Sequence, residues 1–255
     1  MRLRPTAVAL ATIALLASGC SSKDSGGKKP PPQSGPDKSA TKATGKPSRG
    51  GNVRLPSNEP RYLNPVLETR FNRVTPLLFE GLVGLGTQYE PVPALAQSWE
   101  ISKDGKTITF RLRKGVVWHD GKPFTSKDVL FTFKAMRTTK RPTVWKGYFA
   151  DVDSIAAPDD HTLSVRYKNA YAPALSTWTM GCLPEHVYGG GELADSKGNK
   201  EPVGTGPFRL SRVEPGTRII LVANDKHWGG RPYLDSVELI FGSEKPLELL
   251  QKGQL

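Results

Sequence analysis

Apolar and polar residues alternate along residues 99–112, the pattern of a β-strand pair with one buried and one solvent-facing side. The dipeptide Asp104-Gly105 divides the run and is typical of a tight hairpin turn. After a second turn at residues 120–123, Thr125 offers an N-cap hydroxyl with Asp128 three residues later, close to a capping box. Apolar residues then recur at helical spacing as far as Met136. Residues 97–137 therefore predict strand, turn, strand, short strand, turn and capped helix.

Weaker patterns of the same two kinds flank this unit and predict a mixed α+β architecture. A helix is expected at residues 72–83, where Pro76 falls in the first turn and costs no hydrogen bond. Two more helices are expected, one from Tyr171 onward and a short one at residues 245–251. Strands are expected at residues 52–55, 152–155, 162–167, 218–223 and 235–241.

The first 50 residues have the composition of a targeting segment followed by a tether. Arg2 and Arg4 precede an apolar run at residues 6–17, which is too short to span a bilayer. The sequence Ala-Ser-Gly-Cys at 17–20 resembles a lipobox, which implies cleavage after Gly19 and a diacylglycerol on the Cys20 sulfur. An ordinary signal peptide that ends near a cysteine is the alternative. Residues 21–50 are polar, lack apolar periodicity and predict a disordered basic tether.

Charge is unevenly distributed along the chain. The net charge is +12, but only about +5 of it falls in residues 51–255. The folded part is thus mildly basic, which argues against a nucleic-acid partner. A basic tail beside an anionic membrane is the more natural interpretation. If Cys20 carries lipid, Cys182 is left alone, and we expect it to be a small buried side chain.

The segment SWEISKDGKTITFRLRKGVVWHDGKPFTSKDVLFTF, at residues 98–133, resembles the extracellular solute-binding proteins of family 5, the oligopeptide, dipeptide and nickel receptors of ABC importers. Other segments resemble the same family: FEGL at 79–82, PVPALA at 91–96, LPEHVY at 183–188, PVGTGPF at 202–208 and the WGG of 228–230. The resemblance implies a two-lobed α/β fold of the type II periplasmic binding proteins. The large lobe would take residues 51–80 and 195–255, and the small lobe residues 81–194.

The resemblance also implies a function and a set of site residues. The protein would capture peptides at the extracellular face of the membrane, or in the periplasm of a Gram-negative cell, and deliver them to ABC permease subunits without catalysis or cofactor. Nickel chelates and sugars stay open as ligands. The loop after the Asn64-Pro65 turn would contact ligand through Glu68, Thr69 and Arg70. Tyr148, or alternatively Phe149, would reach the cleft, and Trp178 is a further candidate contact.

Members of this family are about twice as long as this chain, and ligand binding in this class needs two lobes that close on a hinge. The sequence therefore predicts the first half of such a receptor, with the second lobe missing. A truncated, non-binding fragment is the alternative function.

Catalytic and metal-binding patterns are weak. The four histidines lie far apart, with no HExxH motif and no Cys/His cluster that would indicate zinc. The GTG of residues 204–206 is not followed by the residues of a phosphate-binding loop, so nucleotide binding is rejected. The pair His119-Asp120 is interpreted as part of a turn. A secreted hydrolase remains only as a minor alternative.

Overall fold

The computed structural model describes residues 48–242 and residue 251. These residues belong to one compact unit. Its helices are α1 (Thr75–Leu78), α2 (Ser126–Thr138), α3 (Trp145–Tyr148), α4 (Ala174–Thr177) and α5 (Glu185–Tyr188). Its strands are β1 (Asn52–Pro56), β2 (Val83–Leu85), β3 (Pro91–Pro93), β4 (Ala96–Ile101), β5 (Thr107–Leu112), β6 (Val152–Asp159), β7 (Thr162–Tyr167), β8 (Phe208–Glu214), β9 (Arg218–Ala223) and β10 (Ser236–Ile240).

Two four-stranded sheets organise the described residues. One has the order β1-β10-β9-β8, in which β1 runs parallel to β10 while the other pairs are antiparallel. The second has the order β4-β5-β7-β6 and is antiparallel throughout. The strands β2 and β3 form a separate pair. The first sheet falls in the ranges predicted for the large lobe and the second in the range predicted for the small lobe. The lobe division itself stays a prediction.

The predicted hairpin and its helix are both present. Trp99 pairs with Phe110, and Gly105 takes a positive φ of 68° in the turn, a conformation that glycine adopts without steric cost. At the start of α2, the Thr125 side chain and Asp128 form a reciprocal capping box, in which the Thr125 N–H donates to Asp128 Oδ2 at 2.9 Å. Local sequence therefore determines this whole unit. Only the short strand before the second turn is reduced, to a single bridge between Val117 and Pro123.

The predicted helix at residues 72–83 is wrong for most of its length. Only α1 is helical, and Phe79 is already extended with ψ 142°. From Glu80 onward the backbone bonds to a distant segment: the Cys182 N–H donates to the Glu80 carbonyl at 2.8 Å, and the Val83 N–H donates to the Trp178 carbonyl at 3.1 Å. The apolar run is buried by these contacts rather than by helical packing, and a pattern of apolar residues alone cannot separate the two outcomes.

Other differences are smaller. The pattern missed β2, β3, β8 and the single turn of α3, and the helix expected from Tyr171 shortens to α4. The expected helix at residues 245–251 lies, except for Gln251, outside the described residues.

Buried side chains from both sheets form one hydrophobic core, in which Cys182 is 3% exposed, as expected for a small buried side chain.

Candidate functional site

The loop between Asn64 and Thr75, hereafter the 64–75 loop, is held in place by two asparagines. Asn64 Oδ1 accepts the N–H of Val66 at 2.9 Å and that of Leu67 at 3.4 Å. Asn72 Oδ1 accepts the N–H groups of Val74 and Thr75, each at 2.9 Å. Both asparagine side chains are buried, so their hydrogen bonds replace water that the loop backbone would otherwise need. The loop is therefore rigid at both ends.

Glu68 braces the middle of the loop. Its side chain is buried, and its two carboxylate oxygens accept the Tyr62 N–H at 2.9 Å and the Arg70 N–H at 2.6 Å. A carboxylate whose two oxygens both accept backbone N–H groups holds the loop backbone in position. The structure thus gives Glu68 a bracing role, while its predicted ligand contact stays a prediction.

The backbone on the outer side of the loop is left open. The Arg70 carbonyl accepts from Asn72 Nδ2 at 3.1 Å, and the Phe71 carbonyl accepts from Asn58 Nδ2 at 2.8 Å. Within residues 48–242, no hydrogen bond engages the N–H or carbonyl of Thr69 or the N–H of Phe71. Thr69 and Phe71 are both exposed, Phe71 to 81%. The chain bends at Arg70, so these free groups are separate hydrogen-bonding points and not the edge of a strand.

Aromatic residues after α2 lie against this loop. Trp145 Nε1 donates to the Pro65 carbonyl at 2.9 Å, and Thr143 Oγ1 donates to the Val66 carbonyl at 2.6 Å. The Tyr148 ring is 5.8 Å from that of Trp145 and is 53% exposed, whereas Phe149 is fully buried. Of the two aromatic candidates for the cleft, only Tyr148 presents a surface to solvent. Its contact with ligand stays a prediction.

A shallow cavity of about 260 Å³ opens beside the loop. It mixes apolar walls with polar groups, a composition that suits ligand binding. Phe71, Asn72 and Trp145 line it although the sequence did not point to them; an exposed phenylalanine in a polar loop was the one signal available. The lining residues are Pro65, Glu68, Arg70, Phe71, Asn72, Thr75, Pro76, Phe79, Trp145, Thr179 and Gly181.

Trp178 lies in the core. It is 2% exposed, and its ring centroid is 5.4 Å from Phe110 and 5.0 Å from Phe149. Its Nε1 donates to the hydroxyl of Tyr167 at 2.9 Å, so its polar group is already satisfied. The structure gives this tryptophan a packing role, and its ligand contact stays a prediction.

His119 and Asp120 point to different partners. His119 Nδ1 accepts the Gly204 N–H at 3.1 Å, and Nε2 lies 3.0 Å from the Gly206 carbonyl, so the neutral ring clamps the 202–208 loop. Asp120 Oδ2 lies 2.6 Å from His186 Nε2. The two adjacent side chains therefore form no pair, and each ties its turn to another segment.

Acid is expected to weaken the fold through His119. Burial lowers the pKa of His119 from 6.5 to about 4, because the charged ring loses hydration that the buried site does not replace. Protonation of Nδ1 would also break the hydrogen bond from the Gly204 N–H. Between these two pKa values, His119 is protonated in the unfolded chain and neutral in the folded chain. The stability contribution is complete above pH 6.5 and is lost as the pH falls toward 4, by about 3 kcal/mol. Urea unfolding at pH 7 and pH 4.5 measures this loss.

His227 has a pKa that is shifted in the opposite direction to that of His119. Burial opposes its protonation, but the hydrogen bond and charge of Glu80, 3.1 Å away, outweigh it and raise the pKa of His227. The contribution of His227 to the stability of the fold is present below pH 6.5. It is lost as the pH rises through the pKa of His227 in the folded chain. We expect His119→Asn to reduce the acid-dependent loss and His227→Asn to increase it. Equal pH dependence in parent and His119→Asn would contradict the assignment.

In the described part of the chain, no three His, Cys, Asp or Glu side chains are grouped so as to hold a metal ion. Among those same residues, no helix has the length and apolar content needed to cross a membrane.

Comparisons with known proteins match the chain to one family. Residues 90–255 match the sequence model of the bacterial extracellular solute-binding proteins, family 5. The chain is 29% identical to the oligopeptide-binding protein AppA of Bacillus subtilis, a match that covers 100% of this chain and 48% of the relative. It is 34% identical to di/tripeptide-binding protein 2 of Pseudomonas aeruginosa, over 58% of this chain and 32% of the relative.

Solved structures agree with these matches. The fold is similar to NikZ of Campylobacter jejuni, solved in complex with Ni(L-His), with a TM-score of 0.75 at 26% identity, over 80% of this chain and 42% of the other. The structure of Bacillus subtilis AppA with a nonapeptide gives a TM-score of 0.74 at 26% identity, over 82% of this chain and 44% of the other. The match spans 48% of the length of the Bacillus subtilis relative and 32% of that of the Pseudomonas aeruginosa relative.

Proposed function

The chain belongs to the bacterial extracellular solute-binding proteins of family 5, and from this membership we propose that it is the extracellular substrate receptor of an ABC importer, capturing peptides for delivery to the permease. The expected fold class, that of the type II periplasmic binding proteins, is confirmed by the structural similarities. The proposed activity is binding and release, with no chemical step.

The observation that carries the peptide assignment is the open backbone of the 64–75 loop. Thr69 and Phe71 are exposed and offer unengaged main-chain groups, while Glu68, Asn72 and Asn58 engage the neighbouring backbone groups. The main chain of a peptide hydrogen-bonds to such groups, which gives affinity without dependence on side-chain identity. Because the loop is already ordered, little conformational entropy is lost on binding.

The proposal is tested by isothermal calorimetry of the full 255-residue chain against defined peptides of two to nine residues, with nickel–histidine as a separate arm. We expect binding to peptides and its weakening by Tyr148→Ala, by about three- to tenfold, since an aromatic contact is lost. Neither tyrosine lines the cavity, but the Tyr148 ring lies 5.8 Å from that of Trp145, which does. Tyr233→Ala is the control, because Tyr233 is 54% exposed, compared with 53% for Tyr148.

Three outcomes would change the conclusion. Heat only with nickel–histidine would replace the peptide assignment by that of a nickel chelate. Heat with no ligand would contradict the receptor proposal for this chain and favour the non-binding alternative. Equal weakening by Tyr148→Ala and Tyr233→Ala would remove Tyr148 from the site.

Anchoring by lipid is the second part of the proposal. Cys20 and the basic tether lie outside the described residues, so the support is the sequence pattern alone. Two acyl chains on Cys20 hold a protein at a membrane far better than one, and the basic residues of the tether add to this attraction. Replacing Cys20 with serine is expected to move the protein from the membrane fraction to the medium; full retention at the membrane would contradict lipidation.

A further inference from the structure

We propose that the site favours ligands that carry a negative charge, and that Arg70 is the residue that selects them. The inference rests on the proposed function and adds the chemical class of its substrate: peptides with an acidic side chain placed over the cavity of the 64–75 loop. Three features support it, namely the position of Arg70, the engagement of both Glu68 oxygens by backbone N–H groups and the charge of the neighbouring segment.

Arg70 is the cation of the cavity. Its side chain is exposed and lines the cavity together with Phe71 and Trp145. Among residues 48–242, no carboxylate lies within ion-pair distance of its guanidinium, a property that it shares with other exposed arginines such as Arg61 and Arg73. Arg70 differs from them because it lies in the cavity wall. An arginine without a protein partner at the wall of a cavity is available for a bidentate bond to a ligand carboxylate.

Glu68 is the one carboxylate in the cavity wall, and it is not paired with the Arg70 guanidinium. Both of its oxygens accept backbone N–H groups, one of them that of Arg70 itself, and its side chain is 8% exposed. Its hydrogen-bonding capacity is therefore used inside the loop, while the exposed guanidinium keeps its donors for a ligand.

The segment that holds the loop is itself basic. Residues 134–146 contain Lys134, Arg137, Lys140, Arg141 and Lys146 and no acidic residue. Trp145 and Thr143 of this segment bind the Pro65 and Val66 carbonyls, so the part of the segment that carries Arg141 and Lys146 lies beside the loop. Lys134 and Arg137 line a different cavity. Positive charge on the segment next to a binding site attracts anionic ligands and raises their association rate.

The experiment compares peptides of equal length that differ only by aspartate or asparagine at one position, moved along the peptide. Calorimetry with the full chain is expected to show about tenfold tighter binding of the aspartate peptide for at least one position. Arg70→Gln should reduce that ratio to nearly one, and Arg70→Glu should invert it. Lys103→Gln removes one positive charge on the β4–β5 turn, outside the cavity lining, and should leave the ratio unchanged.

The outcomes separate this inference from the function on which it rests. Absence of binding to every peptide overturns the receptor function. Binding that is equal for aspartate and asparagine peptides overturns the charge preference while the function stands. A preference that survives in Arg70→Gln, or disappears equally in Lys103→Gln, shows that general charge acts instead of Arg70.

Discussion

Replacing Gly204 with alanine is expected to lower the free energy of unfolding by more than about 4 kcal/mol, enough to unfold a marginally stable domain. A Cβ atom at this position would lie 1.8 Å from the Leu78 carbonyl oxygen and 2.7 Å from the carbon that bears it. Both neighbours are backbone atoms that cannot rotate away. The same Leu78 carbonyl accepts the Gly206 N–H at 2.9 Å, so a shift of the 202–208 loop would also break this bond.

The measurement is urea unfolding of the full chain, followed by circular dichroism. Gly191→Ala is the matched control: no atom of the described residues lies within 4 Å of the new Cβ, and its φ is not positive. We expect the control to stay within about 0.5 kcal/mol of the parent. A Gly204→Ala variant as stable as Gly191→Ala would mean that the contact between the 202–208 loop and α1 is not as close as the structure has it.

Trp178→Ala should cost about 3–5 kcal/mol of stability, the range for removing a large aromatic side chain from a packed core. The indole touches Phe110 of one sheet and Phe149 after α3, and its N–H satisfies the Tyr167 hydroxyl. Alanine leaves a cavity among these rings and removes one hydrogen bond. Thermal and urea unfolding of the full chain measure the loss.

Two further variants separate packing from ligand contact. Trp178→Phe keeps most of the ring but removes the N–H, and we expect a smaller loss of about 1–3 kcal/mol. Tyr148→Ala removes an exposed ring and should change stability by no more than about 0.5 kcal/mol while weakening peptide binding. If Trp178→Phe kept parental stability and lost peptide affinity, the tryptophan would be a ligand contact and the packing interpretation would be wrong.

Much of the fold follows from short-range sequence signals. The β4–β5 hairpin is predicted by alternation and by Asp104-Gly105, and the start of α2 by Thr125 and Asp128, because each signal and its partner lie within a few residues. The central strands β5, β7 and β9 were predicted for the same reason. The partner of β1 is also distant, but its strand pattern is visible locally. The segment after α1 is different: the Glu80 carbonyl accepts the Cys182 N–H, and no local pattern distinguishes that arrangement from a helix.

The candidate site was also predicted only in part. Family resemblance pointed to the loop of Glu68, Thr69 and Arg70, and the structure places these residues at or beside one cavity. The family resemblance could not predict that the Glu68 oxygens accept backbone N–H groups, because this depends on the loop folding back toward Tyr62. It also missed Trp145, whose role depends on a hydrogen bond across 80 positions of sequence.

The pairing of β1 with β10, two strands far apart in the sequence, has a consequence for how the protein folds. Among the described residues, β1 pairs with β10 alone, and the Gly51 N–H bonds to an Asp235 oxygen 184 positions later. The β4-β5-β7-β6 sheet, by contrast, is built from segments that lie close together in the chain. As the chain is synthesised from its N-terminus, the second sheet can form early, whereas β1 must wait until β10 is available. We expect β1 to be the last strand to dock, so the edge of β10 is the surface most in need of protection during folding.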